Sequence, residues 1–315
     1  MLILANDGIS SKGKNILEEN GFKVITDKVD QDKLIEEINR LGIVGVLVRS
    51  ATKVRKDIID NCPSLKLIGR GGVGMDNIDV DYARSKGLFV VNTPAASSQS
   101  VAELVVAQMF AISRFLPDSF KNMEGGDFSV LKKKYAKGSA LRGKTLGIIG
   151  FGRIGQSLAS YALGLGMKVI AYNRTSIKVN IPITIGDNSF DFEVSTLSDM
   201  DDLLVNSDFI SIHIPKQENG KAVLSSSEFR KMKEGVRIIN AARGGVVDEI
   251  ALLEALNSGK VAAAGLDVYE NEPNPNKDLI KHPLTACTPH IGAATSEAQD
   301  RIGEEIASLV IQHLK

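Results

Sequence analysis

The sequence has no tryptophan, only two cysteines and no excess of either charge, and each absence narrows the class of protein. Lysine plus arginine equals aspartate plus glutamate at 38 each, so no sequence-wide basic field attracts nucleic acid or an anionic membrane. No uninterrupted apolar run approaches the roughly 20 residues that span a bilayer. The chain opens without a basic segment and a long apolar segment, so we expect no signal peptide. These absences predict a soluble, cytoplasmic protein with neither a nucleic-acid nor a membrane partner.

The two cysteines, Cys62 and Cys287, show neither CxxC spacing nor any spacing typical of metal ligands. We interpret them as two buried, reduced thiols, and we expect no metal site. At 315 residues the chain can bury a sizeable core, and this length favours two domains over one.

What the sequence does contain is a glycine-rich stretch between residues 145 and 175. An apolar run, Thr145–Gly150, predicts a buried strand, then helical spacing follows, then a second strand at Lys168–Asn173. The connecting motif reads GxGxxG, a spacing that suits a tight turn, close approach to a pyrophosphate and close helix packing. Its candidate cofactor ligands are Gly150, Gly152, Arg153, Ile154 and Gly155. We predict a dinucleotide-binding βαβ unit, with a purely structural turn as the alternative.

Strands and helices alternate along the whole chain, which predicts an α/β fold with two doubly wound parallel-sheet lobes. Five strands precede Asn92-Thr93-Pro94, and Ser97 to Phe115 reads as a long helix that crosses into the next lobe. The polar stretch Met123–Gly138 is interpreted as an excursion or a dimer-contacting loop. The amphipathic segment Ser296–Leu314 could pack back on the first lobe. We therefore assign 1–96 with 286–315 to a substrate-binding domain and 97–285 to a dinucleotide-binding domain, with ligands in the cleft between them.

Two loops at predicted strand ends of the first lobe could bind an anion. The loop 49–53 carries two cations and hydroxyls, which suit a phosphate, although a solvated loop is the alternative. The loop 70–74 has closely spaced glycines, which suit a backbone nest for a carboxylate, with a plain turn as the alternative. The candidate substrate ligands are Arg49, Ser50, Lys53, Arg70, Gly72, Val73 and Gly74.

Two further loops, in the second half of the chain, carry groups suited to acid–base chemistry. Arg243 follows a strand and can present its guanidinium to a 2-oxo or 2-hydroxy carboxylate. A glutamate beside an imidazole stabilises the protonated ring, and such a pair can move a hydroxyl proton. Of the four histidines, His282 lies in a polar connector and His313 near the chain end, so His290 is the best candidate. The remaining candidate cofactor residues are His213, Ile214, Pro215, Ala241, Ala242, Asp267 and Gly292.

These motifs, in this order, resemble the D-2-hydroxyacid dehydrogenase family over essentially the whole chain, and within it the phosphoglycerate dehydrogenases. The motifs that carry the resemblance are Arg49–Lys53, Arg70–Asp79, Asn92-Thr93-Pro94, Gly150–Gly155, Asn240–Asp248, Asp267–Pro273 and Thr288–Gly292. The resemblance implies that Arg243 binds the substrate carboxylate, that Glu272 pairs with His290, and that His290 handles the hydroxyl proton. It also implies a flavodoxin-like substrate lobe, a Rossmann-like cofactor lobe inserted into it, and a homodimer through the cofactor lobes. Because the chain stops after its last helix, we expect no regulatory extension and no serine feedback.

One position departs from the family pattern and concerns the choice of cofactor. The family usually has an aspartate at the end of the second cofactor-lobe strand, where it binds the ribose and repels a 2′-phosphate. Here that position is Asn173, followed by Arg174. The resemblance implies NAD, but the missing acid leaves NADP open.

The resulting functional hypothesis is an oxidoreductase that passes a hydride between 3-phosphoglycerate and 3-phosphohydroxypyruvate, as in serine biosynthesis. Arg49, Lys53 and the cluster Lys132-Lys133-Lys134 favour a phosphorylated substrate. The alternative within the class is a glyoxylate or hydroxypyruvate reductase, or another D-2-hydroxyacid dehydrogenase. From a different class, a cofactor-sensing regulator without catalysis is disfavoured by the complete set Arg243, Glu272 and His290.

Overall fold

The computed structural model describes residues 1–315 and divides them into two compact units. The terminal unit comprises residues 1–98 and 293–315, and the central unit comprises residues 99–292. Each unit is built on its own mostly parallel sheet, so the predicted α/β class with two parallel-sheet lobes is confirmed.

The terminal unit alternates strands and helices around a five-stranded parallel sheet. Its elements are β1 (Leu2–Ala5), α1 (Ser11–Glu19), β2 (Lys23–Ile25), α2 (Leu34–Leu41), β3 (Gly45–Val48), α3 (Lys56–Asn61), β4 (Leu67–Arg70), α4 (Val80–Ser85) and β5 (Phe89–Asn92), with the C-terminal helix, numbered α13 (Ser296–Leu314). The strand order is β2-β1-β3-β4-β5, the doubly wound order of flavodoxin-like sheets. Strand β3 is buried along its whole length, as its apolar sequence GVLV predicts.

The C-terminal helix completes the core of the terminal unit. Ile306 and Val310 of α13 pack in one cluster with Ile3 of β1 and Leu67 of β4. Helices α1 and α13 approach so closely that a Cβ on Gly13 would lie 2.6 Å from the backbone of Gly303. The segment at the end of the chain therefore belongs to the same unit as its beginning.

The central unit begins with three helices, α5 (Ser98–Ser113), α6 (Leu116–Asn122) and α7 (Phe128–Tyr135), of which α7 lies within the stretch that we predicted to be a loop. The remaining elements are β6 (Thr145–Ile149), α8 (Arg153–Gly164), β7 (Lys168–Tyr172), β8 (Lys178–Ile185), β9 (Asn188–Leu197), α9 (Met200–Asn206), β10 (Phe209–Ile212), α10 (Ser226–Lys231), β11 (Val236–Asn240), α11 (Glu249–Ser258), β12 (Val261–Leu266), α12 (Lys277–Lys281) and β13 (Thr285–Cys287). The sheet order is β13-β12-β11-β10-β6-β7-β9-β8, and only β8 runs antiparallel to its neighbour.

Two features of the central unit differ from the expected organisation. Strand β13 pairs with β12, so residues 286–292 belong to the central unit and not to the terminal unit that we expected. His290 consequently lies on the same unit as the glycine motif. In addition, β8 and β9 form a hairpin that was not predicted, joined by the two-residue turn Gly186-Asp187.

No single helix is long and apolar enough to cross a membrane. The pair α5 and α6 meets the criteria of length and composition together, but it is bent by 63°. Helix α5 contributes Ala102, Val105 and Met109 to the buried core, which accounts for its apolar sequence.

Candidate active site

The glycine loop between β6 and α8 has the shape of a phosphate cradle. Gly150 adopts φ +92°, and a Cβ there would lie 2.5 Å from the carbonyl oxygen of His213. A Cβ on Gly155 would lie 2.5 Å from the carbonyl oxygen of Gly150, so this glycine permits close packing of helix and strand. A Cβ on Gly152 would meet no atom within 4 Å, and no side chain caps the start of α8 there. The loop therefore leaves space and helix N-terminal N–H groups for a pyrophosphate, and it fits a dinucleotide.

Asn173, at the end of β7, is tied to the glycine loop. Its side-chain oxygen accepts a hydrogen bond of 2.9 Å from the backbone N–H of Phe151. Because the oxygen is used in this way, the amide NH₂ is the group left for a ligand. The neighbouring Arg174 is exposed. This strand end presents donors and no carboxylate.

His213, which we predict to line the cofactor site, is partly buried. Its Nε2 lies 2.8 Å from the hydroxyl of Ser211, whereas its Nδ1 is buried without a partner. Burial lowers the pKa of His213 to about 4, so the ring is neutral at neutral pH. The backbone of His213 and the side chain of Ile214 lie directly against Gly150, while Pro215 is exposed. The end of β10 therefore packs directly against the glycine turn.

His290 and Glu272 form a hydrogen-bonded pair, with His290 Nδ1 2.8 Å from Glu272 Oε2. The other carboxylate oxygen of Glu272 accepts the backbone N–H of Tyr269 at 3.0 Å. Burial raises the pKa of Glu272, but the hydrogen bond and charge of His290, this N–H and the charge of Arg243 outweigh it, so the pKa lies below its ordinary value. Glu272 is therefore ionised at neutral pH, and both side chains of the pair remain partly exposed.

Asp267 holds the loop that carries His290. Its buried carboxylate accepts hydrogen bonds from Thr288 Oγ1 at 2.6 Å, from the N–H of Ile291 at 2.8 Å and from the N–H of Gly292 at 2.8 Å. These donors flank His290, whose backbone is in the left-handed region at φ +55°. The hydrogen bond between Asp267 and Gly292 fixes the histidine loop. The expectation that both residues bind the cofactor stays a prediction.

The loop that carries Arg243 is fixed by Asn240, which the sequence analysis did not single out. Asn240 is buried; its amide donates to the carbonyl of Arg243 at 3.0 Å and accepts the N–H of Ala242 at 3.1 Å. A Cβ on Gly244 would lie 1.8 Å from the carbonyl oxygen of Tyr269, so the loop touches the segment that leads to Glu272. The structure thus brings the Arg243, Glu272 and His290 loops together, with Ala241 and Ala242 between β11 and Arg243.

A second residue that sequence reasoning missed is Glu249, at the start of α11. Its carboxylate accepts the N–H of Glu270 at 2.7 Å, and burial raises its pKa above the ordinary value. The hydrogen bond fixes the turn on which Glu272 lies. The signal available in the sequence was an acidic residue at a predicted helix start, directly after the Asn240–Asp248 motif, and this is equally typical of a simple helix N-terminus.

In the terminal unit, the loop 49–53 is tied internally by Asp7. One carboxylate oxygen of Asp7 accepts the N–H groups of Arg49 at 2.7 Å and Thr52 at 3.0 Å, and the other accepts the hydroxyl of Thr52 at 2.7 Å. The N–H of Lys53 donates to the side chain of Gln31 at 2.9 Å. Most hydrogen-bond donors of this loop, apart from its cationic side chains, are thus already used.

The second candidate loop of the terminal unit keeps two donors open. The N–H of Gly72 donates to the buried Thr93 hydroxyl at 2.8 Å, and Gly72 adopts φ +141°. Arg70 donates to Asn77 at 3.2 Å. The next two N–H groups, of Val73 and Gly74, donate to no acceptor within this unit, so they remain available to an anion such as a carboxylate.

Comparison with known proteins identifies the family. Residues 106–292 match the model of the D-isomer specific 2-hydroxyacid dehydrogenase NAD binding domain. The chain is 41% identical to a hydroxypyruvate reductase from Thermotoga maritima over 313 residues, which cover 98% of this chain and 97% of that protein. It is 39% identical over 317 residues to a D-3-phosphoglycerate dehydrogenase from Archaeoglobus fulgidus, and it spans 58% of that protein's length.

Among solved structures, a glyoxylate reductase from Paecilomyes thermophila superposes with a TM-score of 0.84 at 28% identity, covering 100% of this chain and 96% of that chain. The chain belongs to the D-2-hydroxyacid dehydrogenase family, and it is a nicotinamide-dependent dehydrogenase that acts on a small 2-hydroxy acid.

Proposed function

We propose that this enzyme reduces a small, unphosphorylated 2-oxo acid of the hydroxypyruvate or glyoxylate type to the D-2-hydroxy acid. The observation that carries the proposal is the hydrogen bonding of the loop 49–53. Asp7 uses two of its N–H groups and one hydroxyl, and it also places a negative charge beside the loop. A phosphate carries close to two negative charges, so Asp7 would repel it, and the N–H groups of Arg49, Thr52 and Lys53 are already used.

The roles of the central-unit residues follow from their chemistry. When bound, the nicotinamide cofactor supplies the hydride to the carbonyl carbon. His290 donates a proton to the carbonyl oxygen as it becomes a hydroxyl, and the Glu272 carboxylate stabilises the protonated ring. The Arg243 guanidinium binds the substrate carboxylate and thereby orients the carbon that receives the hydride. In the oxidative direction His290 accepts the hydroxyl proton.

The second candidate is the oxidation of 3-phosphoglycerate, which the sequence alone favoured. Arg49 and Lys53 remain as two cationic side chains near the tied loop, and burial, partly offset by the charge of Asp7, lowers the pKa of Arg49 without neutralising it. The 39% identical relative is named a phosphoglycerate dehydrogenase, and the chain spans 58% of its length. The hydroxypyruvate reductase is slightly more similar, at 41% identity, which supports the first candidate.

The substrate test measures specificity constants at 340 nm for hydroxypyruvate, glyoxylate and 3-phosphohydroxypyruvate. We expect an unphosphorylated acid to exceed the phosphorylated one by at least about tenfold. A higher specificity constant for 3-phosphohydroxypyruvate would establish the second candidate. The absence of turnover with all three, together with cofactor binding, would contradict both candidates and indicate a different 2-oxo acid as the substrate.

For the cofactor, we propose that the enzyme uses NAD and discriminates weakly against NADP. The side-chain oxygen of Asn173 is used by Phe151, so the amide presents its NH₂, which can donate to a ribose hydroxyl or a 2′-phosphate. A charge-assisted contact of Arg174 with a partly exposed phosphate contributes about 1–3 kcal/mol to the binding free energy, or about 5- to 100-fold in affinity for NADP.

The corresponding test compares wild type with Asn173→Asp on both cofactors. An aspartate can still accept the N–H of Phe151, so the loop keeps its shape, but the second oxygen repels the 2′-phosphate. We expect a sharp loss of NADP use with little change for NAD. A wild-type enzyme that already rejects NADP by several orders of magnitude would contradict the proposal.

A further inference from the structure

Helix α5 lies against the loop that carries His290. Val101 and Gln108 are about two helical turns apart on α5, so they share one face of the helix. A Cβ on Gly292 would lie 3.3 Å from Cγ2 of Val101. Further along the same face, Nε2 of Gln108 donates a hydrogen bond of 3.1 Å to the hydroxyl of Thr288. One face of α5 therefore contacts the histidine loop on both sides of His290.

The hydrogen bonds of the Thr288 hydroxyl have a defined direction. The hydroxyl has one proton, and its short distance of 2.6 Å to a carboxylate oxygen of Asp267 indicates that the proton is donated there. The hydroxyl oxygen therefore accepts from Gln108, which places the NH₂ of that amide towards Thr288. The same carboxylate oxygen of Asp267 accepts the N–H of Ile291 at 2.8 Å. A chain of hydrogen bonds thus runs from α5 to the backbone beside His290.

Gln108 is an unfavourable residue at this position if only the stability of the fold is considered. Its side chain is 3% exposed, and its Oε1 is buried without a hydrogen-bond partner. An amide oxygen that loses water without gaining a partner destabilises the folded state. A Cβ on Gly265 would lie 2.9 Å from Cβ of Gln108, so α5 packs closely on β12 here. An apolar side chain of similar volume would fill this space without burying an unpartnered oxygen.

We propose that Gln108 is a positioning residue for the proton donor His290. By donating to the Thr288 hydroxyl, Gln108 leaves the hydroxyl proton directed at Asp267. Without this donor the hydroxyl can turn to the carbonyl of Leu266, which is 3.4 Å away. Asp267 is thereby held where it accepts the two N–H groups that follow His290. The inference rests on the proposed function, in which His290 transfers the proton.

The first test replaces Gln108 with methionine, which has a similar volume and no donor. With the 2-oxo acid that gives the highest turnover in the substrate test, Gln108→Met is expected to lower kcat by about tenfold or more, as for a misplaced catalytic group. The cofactor KM should stay within about twofold. The melting temperature should stay the same or rise, because the unpartnered oxygen is removed. A lower melting temperature with unchanged kcat would show that Gln108 is only structural.

Ser113→Ala is the matched control for this variant. Ser113 lies on the same helix, is 1% exposed, and has a buried hydroxyl without a hydrogen-bond partner. Its side chain is bonded to neither catalytic loop, so its removal should leave kcat unchanged. An equal loss of kcat in Ser113→Ala and Gln108→Met would mean that any change in α5 disturbs the site, and it would overturn the proposal.

The second test asks whether the effect passes through Thr288. Thr288→Val removes the hydroxyl and should lower kcat to a similar degree, whereas Thr288→Ser keeps the hydroxyl and should remain near wild type. In the Thr288→Val background, Gln108→Met should cause no further loss, because the two groups act in one chain. Losses that multiply in the double variant would contradict this chain.

The third measurement observes the His290 ring without turnover, by NMR. The chain has four histidines, and His290→Ala assigns the ring signals of His290. In Gln108→Met these signals should broaden or split, because the loop is no longer held in one position, whereas the His313 signals should not change. Normal turnover of His290→Ala would remove the proposed function of His290. A large loss in His290→Ala, with both kcat and the His290 signals unchanged in Gln108→Met, would overturn the positioning role alone.

Discussion

In the terminal unit, the loop after β3 donates the N–H groups of Arg49 and Thr52 to Asp7. In the central unit, the loop after β6 leaves the start of α8 uncapped, and a Cβ on Gly152 would meet nothing within 4 Å. Both loops follow buried strands at the carboxyl edge of a parallel sheet. The two loops therefore differ in how many N–H donors remain unused, and our proposal is that only the loop after β6 binds a phosphate group.

The largest expected effect comes from removing the acid–base group of the central unit. His290→Ala is expected to lower turnover by about 10²–10⁴-fold, the usual contribution of a positioned general acid or base. His313→Ala, on the terminal unit, serves as the control and leaves turnover near wild type. Steady-state kinetics across the pH range check this, and near-normal turnover of the His290 variant would remove His290 from the mechanism.

A smaller effect should follow from filling the open glycine loop. Gly152→Ala adds a methyl group where the protein has space but a pyrophosphate would lie, so we expect the cofactor KM to rise by about tenfold or more. Thermal stability should stay unchanged. Gly155→Ala is the contrasting variant, because its Cβ would lie 2.5 Å from the carbonyl oxygen of Gly150 and should lower the melting temperature. If both variants lost stability equally, the loop would not be open as described.

His213, which follows β10 and packs against this loop, predicts that the free energy of unfolding depends on pH. Burial lowers the pKa of His213 to about 4, whereas the unfolded chain binds a proton near the ordinary value of 6.5. Between these values the unfolded state binds more protons, so stability is complete above pH 6.5 and falls as the pH drops towards 4. The total loss is up to about 3 kcal/mol. Denaturant titrations of His213→Gln should show a flatter profile than wild type and His313→Gln, and parallel profiles would disprove the assignment.

The parts of the site that the sequence predicted are those that local residue types encode. The GxGxxG spacing specifies a turn, a helix start and a close approach within six residues, and His290 with Glu272 could be selected by chemistry. The tie between Asp7 and Arg49 could not be predicted, because it joins residues 42 positions apart. Asn240 bonds to residues only two and three positions away. It was still not predicted, because an asparagine at a strand end is also typical of an ordinary turn.

The hairpin β8–β9, in contrast, could have been predicted, because the sequence contains the pattern typical of a hairpin. Apolar residues alternate with polar or small ones along Ile181–Ile185 and Phe190–Val194, and Gly186-Asp187 lies between these runs. This is the pattern of two strands joined by a two-residue turn. Strand β13 was not predicted, for another reason: Thr285–Cys287 is three residues long, and its pairing with β12 depends on the tertiary fold.

The central claim is that the Asp7-tied loop of the terminal unit is a scaffold and not a phosphate site. The most direct test measures the specificity constants of wild type and Arg49→Ala for hydroxypyruvate and for 3-phosphohydroxypyruvate. If the loop is a scaffold, the substitution changes both constants by the same factor, within about threefold of each other. A loss confined to the phosphorylated substrate, about tenfold or more as expected for a charge-assisted phosphate contact, would contradict the claim.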